Sequence, residues 1–334
     1  MTPHRHRISR RLATAVLLGA SAFSGFSSTS AWAQADFPNK PIRLIVTFPP
    51  GGSTDVVVRL VAPRLGERLG QTIVVENRPG AGGNIGLAAV AQAPADGYTL
   101  GVGAAGALSA NASLYAKMPY DVAKDFAPVS LLAHIPFVLA ANPSFTGERV
   151  SDVLARSKQA SGSLAVGHGG NGTAMHLSIQ LIKQMAKVDM TEIAYKGSGP
   201  AAVDVLGGQI PLALVDLPSA LPHIRSGKLK ALGVTSDQRL PFLPDVPTLA
   251  ESGLPGYAST GWFGVVAPAA TPPAVLAKLQ AALVAVLAEP AVVQNARNAG
   301  VELAPTSAAA FGSFIRSETT KWADVIRTSG TKLE

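Results

Sequence analysis

The chain alternates short β-branched runs with helical patterns along most of its length, and that alternation restricts it to stacked βαβ units around a mainly parallel sheet. Residues 42–48, 72–75 and 99–102 read as buried strands bounded by glycine or proline, with helical patterns at 54–69 and 85–92 between them. Pro63 falls inside the first helical pattern and removes the bond to the Arg59 carbonyl. An interior proline costs ~3 kcal/mol, so a kink or an early break is expected there.

Two strand-to-helix junctions are built alike. The first is Phe48-Pro49-Pro50-Gly51-Gly52-Ser53-Thr54-Asp55, the second Gly167-His168-Gly169-Gly170-Asn171-Gly172-Thr173. Each puts a glycine-rich turn and a Ser or Thr at a helix start, where unpaired N–H groups can hold an anion without a cationic side chain. Two readings stand side by side: ordinary connections of an α/β protein, or one anion-binding loop from each of two domains facing a shared cleft.

Two apolar runs, 129–133 and 136–141, precede the polar turn Asn142-Pro143-Ser144 and mark the crossing into a second domain. That domain repeats the alternation, with strands at 164–167, 191–194, 211–215 and 230–234 and helices at 173–186, 200–206 and 218–225. A strand-like run at 262–266 follows, and the rest is helical. Thr271 caps a helix with Pro272 at its first position, and Val275, Leu276, Leu279, Leu283 and Leu287 form one stripe. A last helix spans 307–328. These late helices have no sheet of their own and must pack on the first one. The expected organisation is therefore residues 36–135 with 256–334 as one α/β domain, 136–255 as the other, and two chain crossings between them as a hinge.

The N-terminus reads as an export signal. Arg5, Arg7, Arg10 and Arg11 form a basic region, a small apolar stretch follows from Leu12 to about Phe26, and Ala31-Trp32-Ala33 offers a cleavage site. Cleavage is expected after Ala33, with Ala35 as the near alternative, giving residues 1–33 as a signal peptide. Ser9-Arg10-Arg11-Leu12 leaves twin-arginine export open beside the general secretory route. No cysteine follows, so no lipid attachment point exists, and a periplasmic location is expected. After processing, 24 basic and 21 acidic residues leave a net charge of +3, no nucleic-acid footprint. The absence of cysteine excludes disulfides, thiolate metal sites and a cysteine nucleophile.

Several chemistries can be sought and are missing. Gly51-Gly52-Ser53-Thr54-Asp55 lacks the last glycine of a nucleophile elbow, and Lys196-Gly197-Ser198-Gly199 has the wrong spacing. In the latter Lys196 precedes the glycine, so it is no P-loop. In Gly80-Ala81-Gly82-Gly83-Asn84-Ile85-Gly86 the third glycine of a dinucleotide fingerprint would fall on Ile85. His134, His168, His176 and His223 show no zinc spacing, although His168 and His176 can approach each other around the second turn. No catalytic constellation, metal site or cofactor is expected.

The chain resembles the Bug-type substrate-binding receptors of tripartite tricarboxylate transport systems. The resemblance rests on Pro50-Gly51-Gly52-Ser53-Thr54-Asp55, on the run from Val75 to Gly86, on Asp96-Gly97-Tyr98-Thr99-Leu100, on Gly170-Asn171-Gly172-Thr173 with His176-Leu177, on Tyr195-Lys196-Gly197-Ser198, on Pro244-Asp245-Val246-Pro247-Thr248, and on Trp262-Phe263-Gly264. It implies a two-domain periplasmic binding protein of type II-like fold, monomeric, that closes on a small organic acid and delivers it to the permease subunits of such a transporter. A sensory module docking a membrane kinase is the alternative partner reading, and a secreted hydrolase the enzymatic rival. Carried over by position, Gly51, Gly52, Ser53, Thr54 and Asp55 line one wall of the site and Gly170, Asn171, Gly172 and Thr173 the other. Asp55 either supports the helix dipole or meets a ligand amine or water. His168 stands where relatives carry a small residue; facing the cleft, it would meet a second carboxylate or a ring. The loop 103–109, with Ala105, is more apolar than citrate would require, which points to an aromatic or partly apolar carboxylate. Asp216 either approaches the ligand or caps the helix at Pro218.

Overall fold

The computed structural model describes residues 37–159, 162–330 and 332–333. The expected export signal at 1–33 and its expected cleavage site lie outside the described residues. In chain order the elements are β1 (Ile42–Val46), α1 (Ser53–Leu69), β2 (Ile73–Asn77), α2 (Asn84–Ala91), β3 (Thr99–Ala104), α3 (Asn111–Leu114), α4 (Val122–Asp125), β4 (Phe126–Ala141), α5 (Val150–Gln159), β5 (Ala165–His168), α6 (Ala174–Ala186), β6 (Thr191–Ala194), α7 (Ser198–Leu206), β7 (Leu212–Asp216), α8 (Leu217–Arg225), β8 (Lys230–Val234), β9 (Thr260–Pro268), α9 (Pro273–Leu287), α10 (Pro290–Asn298), β10 (Glu302–Leu303) and α11 (Ala308–Ser329). A π-helical turn at Gly106–Ala110 precedes α3.

Among the described residues ten strands join one sheet, ordered β2-β1-β3-β9-β4-β7-β5-β6, with β8 and β10 paired to β4 off that path. The pairs among β1, β2 and β3 and those among β5, β6 and β7 are parallel. Those involving β4 or β9 are antiparallel. The two apolar runs expected on either side of residue 135 are one 16-residue strand, β4. Its residues Phe126 to Pro136 pair with β9 and its residues Phe137 to Ala141 with β7 and β8, so this single strand belongs to both halves of the sheet. Pro136 does not break it. Two register shifts in the β4–β9 ladder, at Pro128/Ser130 and Leu131/Ala133, supply local irregularity instead.

Each half-sheet has its own core. Leu44, Val46, Leu87 and Val102 fill the first, and Val138, Ala213, Val215, Leu217 and Leu221 the second. Burying one such Val or Leu side chain contributes ~1.5–3 kcal/mol. The late helices pack on the first half as expected, α9 against α1 and β4 and α11 against β4 and α3, but α11 also reaches the second half, where Trp322 and Ile326 pack on Leu177 of α6. Trp262 meets Phe311 and Phe314 edge-on, at 5.8 and 5.2 Å between centroids. The early break at Pro63 does not occur, since α1 continues to Leu69. Pro63 and Arg59 are both exposed, so water reaches the carbonyl that the proline leaves without its usual donor.

Candidate functional site

A cavity of about 450 Å³ lies where the two half-sheets face each other, within the usual range for a small-molecule pocket. Four helices start on it. Gly52, Ser53 and Thr54 open α1, and Thr173, Ala174 and Met175 open α6. Gly197, Ser198 and Gly199 open α7, and Asp216, Pro218 and Ser219 open α8. The N-caps of α1 and α7 are glycines with no side-chain cap, so their first-turn N–H groups stay free. Four positive dipole ends around one space favour an anion there. The rest of the wall is largely apolar: Phe48, Pro49, Pro50, Ile135, Phe137, Val203, Trp262 and Phe263. The Trp262 indole N–H donates to the buried Glu318 at 3.0 Å, a carboxylate also held by Trp322 at 3.0 Å, which fixes the ring.

Ser53, Thr54, Gly51, Gly52, Ala105, Thr173 and Asp216 of the expected set all line this cavity. Asp216 caps α8, one of the two roles left open for it, and also lines the cavity. Its Oδ1 caps α8 by accepting the Ser219 N–H at 3.2 Å, and its Oδ2 accepts the Ser53 hydroxyl at 2.5 Å. The Asp216 N–H in turn donates to Ser198 Oγ at 3.3 Å. The Ser219 hydroxyl is buried and has no hydrogen-bond partner among the described residues, an orphan beside an open space.

Five expected residues lie elsewhere. Asp55 is not on the cavity; its carboxylate turns back to accept the Gly51 N–H at 2.9 Å, Asn77 Nδ2 at 2.9 Å and Arg59 Nε at 2.8 Å. Burial opposes its charge, but Arg59, the Gly51 N–H and Asn77 outweigh burial and hold the carboxyl below the usual range. Asp55 thus braces the first glycine turn from behind. His168 is 1 % exposed and stacks on His176, so it faces the interior of the second half and not the cleft. Gly170, Asn171 and Gly172 are also off the cavity. The Gly170 N–H is taken by His168 Nδ1 at 3.2 Å and the Gly172 N–H by His176 Nδ1 at 3.4 Å, so neither is free for a ligand. The wall on that side is the first turn of α6 instead.

The 170–172 turn meets the opposite half. A Cβ on Gly106 would stand 2.0 Å from the Gly172 carbonyl oxygen, so only glycine permits this approach. The sequence reading did not pick out the start of α7, nor Phe48, Phe137, Val203 and Ser219. Lys196-Gly197-Ser198-Gly199, following strand β6, carries the same strand, glycine, Ser/Thr signal as the other two turns and could have been counted as a third. Lys196 and His223 add polar groups to the lining, Lys196 being exposed and in no ion pair among the described residues.

Comparison with known proteins agrees with this geometry. The profile of the family described as "Tripartite tricarboxylate transporter family receptor" matches residues 57–331. Protein BugT of Bordetella pertussis is 38 % identical over 323 residues, covering 96 % of this chain and 99 % of that protein. An R. palustris protein solved with adipate is 36 % identical with a TM-score of 0.86, covering 89 % of this chain and all of that one. The periplasmic binding protein BugD is 34 % identical with a TM-score of 0.85, again covering 89 % and 100 %. The architecture is thus the two-domain, type II-like fold of periplasmic solute receptors, and the matching family and structural neighbours are solute-binding receptors, not enzymes. With the family profile spanning most of its length, the chain belongs to the tripartite tricarboxylate transporter receptors.

Proposed function

We propose that the chain is a periplasmic receptor that holds one small organic acid in the 450 Å³ cavity and hands it to the permease subunits of a tripartite tricarboxylate-type transporter. The convergence of the N-termini of α1, α6, α7 and α8 carries this reading. Each dipole end contributes ~0.3–2 kcal/mol toward a negative group, and preformed donors need little reorganisation on binding. The ligand carboxylate would sit over Ser53, Thr54, Ala174 and Ser198. Its apolar body would lie against Phe48, Phe137 and Trp262. That body is a ring or a methylene chain, in keeping with the adipate held by a neighbour of similar fold. Asp216 and Ser219 suit a donor or hydroxyl on the ligand better than a second carboxylate at that point.

In this account residues 36–135 with 256–334 move against residues 136–255 about β4 and the start of β9, and the export signal at 1–33 is removed on the way to the periplasm. The test is thermal denaturation against aliphatic and aromatic mono-, di- and tricarboxylates. A ligand at a hundred times its dissociation constant adds ~2.7 kcal/mol of stability. A shift with one acid, lost in Thr173→Val and Ser53→Ala, supports the reading; no shift with any acid overturns it.

A further inference from the structure

The second glycine turn is shaped from beneath by two histidines that the cavity does not use. His168 ends β5 and His176 lies in the first turn of α6, both buried. Their rings stack with centroids 5.1 Å apart and planes 20° from parallel. Each Nδ1 accepts a backbone N–H of the turn, that of Gly170 for His168 and that of Gly172 for His176. A ring nitrogen that accepts carries no proton, so both imidazoles are neutral Nε2–H tautomers. His176 Nε2 faces Glu192 on β6 at 3.5 Å. Glu192 is itself held by Lys183 of α6 at 2.8 Å and by Gln180, and Lys183 also reaches Asp189 at 2.9 Å. Above the turn, from the opposite half, stand Gly106, Tyr115 and Asn111, whose Oδ1 is buried without a hydrogen-bond partner among the described residues.

We propose that His168 and His176 are positioning residues: as neutral, stacked acceptors they hold the 170–172 turn in the shape that docks on the opposite half, and protonating either one releases the turn and loosens closure. The electrostatics agree with the geometry. Burial, and then the neighbouring His176, pushes His168 down to about 3, and burial lowers His176 despite Glu192. Both docked values lie below the ordinary 6.5, so the docked turn binds fewer protons than the released one. Docking is therefore complete above about pH 6.5 and is eroded as the pH falls below it. At pH 4.5 a ring that regains its ordinary value on release favours release up to ~100-fold. None of this depends on which acid occupies the cavity.

Long-range proton–nitrogen NMR of the full chain, with peaks assigned by variants, reads the two tautomers directly. The expected result at pH 7 is Nε2–H for both rings. Amide protection at Gly170 and Gly172 should then fall ~10-fold or more between pH 7 and pH 4.5, with an increase in the radius of gyration by small-angle scattering. His168→Asn combined with His176→Asn keeps an acceptor for each N–H but removes the titration, and should retain protection at both pH values. A Nδ1–H tautomer at either ring overturns the proposal, as does an unchanged pH response of protection in the double variant. If that variant does not fold, the wild-type tautomers decide alone.

Discussion

Ser53, in the first turn of α1, donates its hydroxyl to the Asp216 carboxylate at the N-cap of α8, at 2.5 Å and across the cleft between the two half-sheets. Both residues are buried, 5 % and 4 % exposed. A hydrogen bond to a carboxylate contributes ~1.5–3 kcal/mol, so this bond is one of the contacts that hold the halves together, beside the continuous strand β4. Ser53→Ala should lower stability by about 1–3 kcal/mol, because the buried Asp216 carboxyl group loses a donor. A double-mutant cycle with Asp216→Asn, read by urea denaturation, should return a coupling energy within ~0.5–3 kcal/mol. Additive single effects would mean that the contact contributes nothing in solution.

Asp55 predicts a pH dependence of opposite origin to that of the histidines. Its folded value is held below the ordinary 3.8, so the folded state favours the charged form. The stability it supplies is present above about pH 3.8 and is lost as the pH falls through the folded value. Asp55→Ala should cost roughly 1–3 kcal/mol at pH 7, since Gly51 and Asn77 lose their acceptor. The difference in denaturation midpoint between wild type and variant should shrink in strong acid. A constant difference down to pH 2 would rule out the carboxylate as its cause.

Gly106 predicts a steric test of closure. Gly106→Ala places a methyl group 2.0 Å from the Gly172 carbonyl oxygen, which no real contact tolerates. Affinity for the acid identified in the thermal screen should drop ~10-fold or more, since closing now carries a penalty of about 1.4 kcal/mol or greater. Calorimetric titration of wild type and variant measures it, and equal affinities would show that binding does not require the 170–172 turn to dock.

Pro63 offers a check on the first helix. Because α1 runs through it and the Arg59 carbonyl faces water, Pro63→Ala should leave ellipticity per residue essentially unchanged and raise stability by ~1 kcal/mol or more. A fall in stability would mean that the proline's restriction of the unfolded chain outweighs its helical cost.

Much of the architecture is legible in residues that repeat at short range. The β-branched runs locate β1, β3 and β5, and Thr173 marks the start of α6, but Thr271 does not cap the following helix as expected: Pro272 is the N-cap of α9, and the Thr271 hydroxyl donates to the Pro268 carbonyl. What escapes is set by partners far away in the chain. Nothing local in Pro136 says that β4 will run straight through it, because the ladders that hold the strand come from residues 212–216, 230–234 and 260–268. The start of α1 on the cavity is readable as an uncapped glycine turn. The turn at 170–172 is likewise glycine-rich, yet its Gly170 and Gly172 N–H groups are occupied, because His168 and His176 lie beneath it. A short motif indicates where donors exist and not which way they are spent.

A cavity that recognises a carboxylate through helix N-termini must prefer an acid to its uncharged analogue. Calorimetric titration of the protein with mono- and dicarboxylic acids, each matched to its neutral amide, separates the two. The account predicts that at least one acid binds and that its amide binds about 100-fold more weakly, a difference of about 2.7 kcal/mol. An amide that binds as tightly as its acid would contradict the account, as would a full series of acids with no detectable heat.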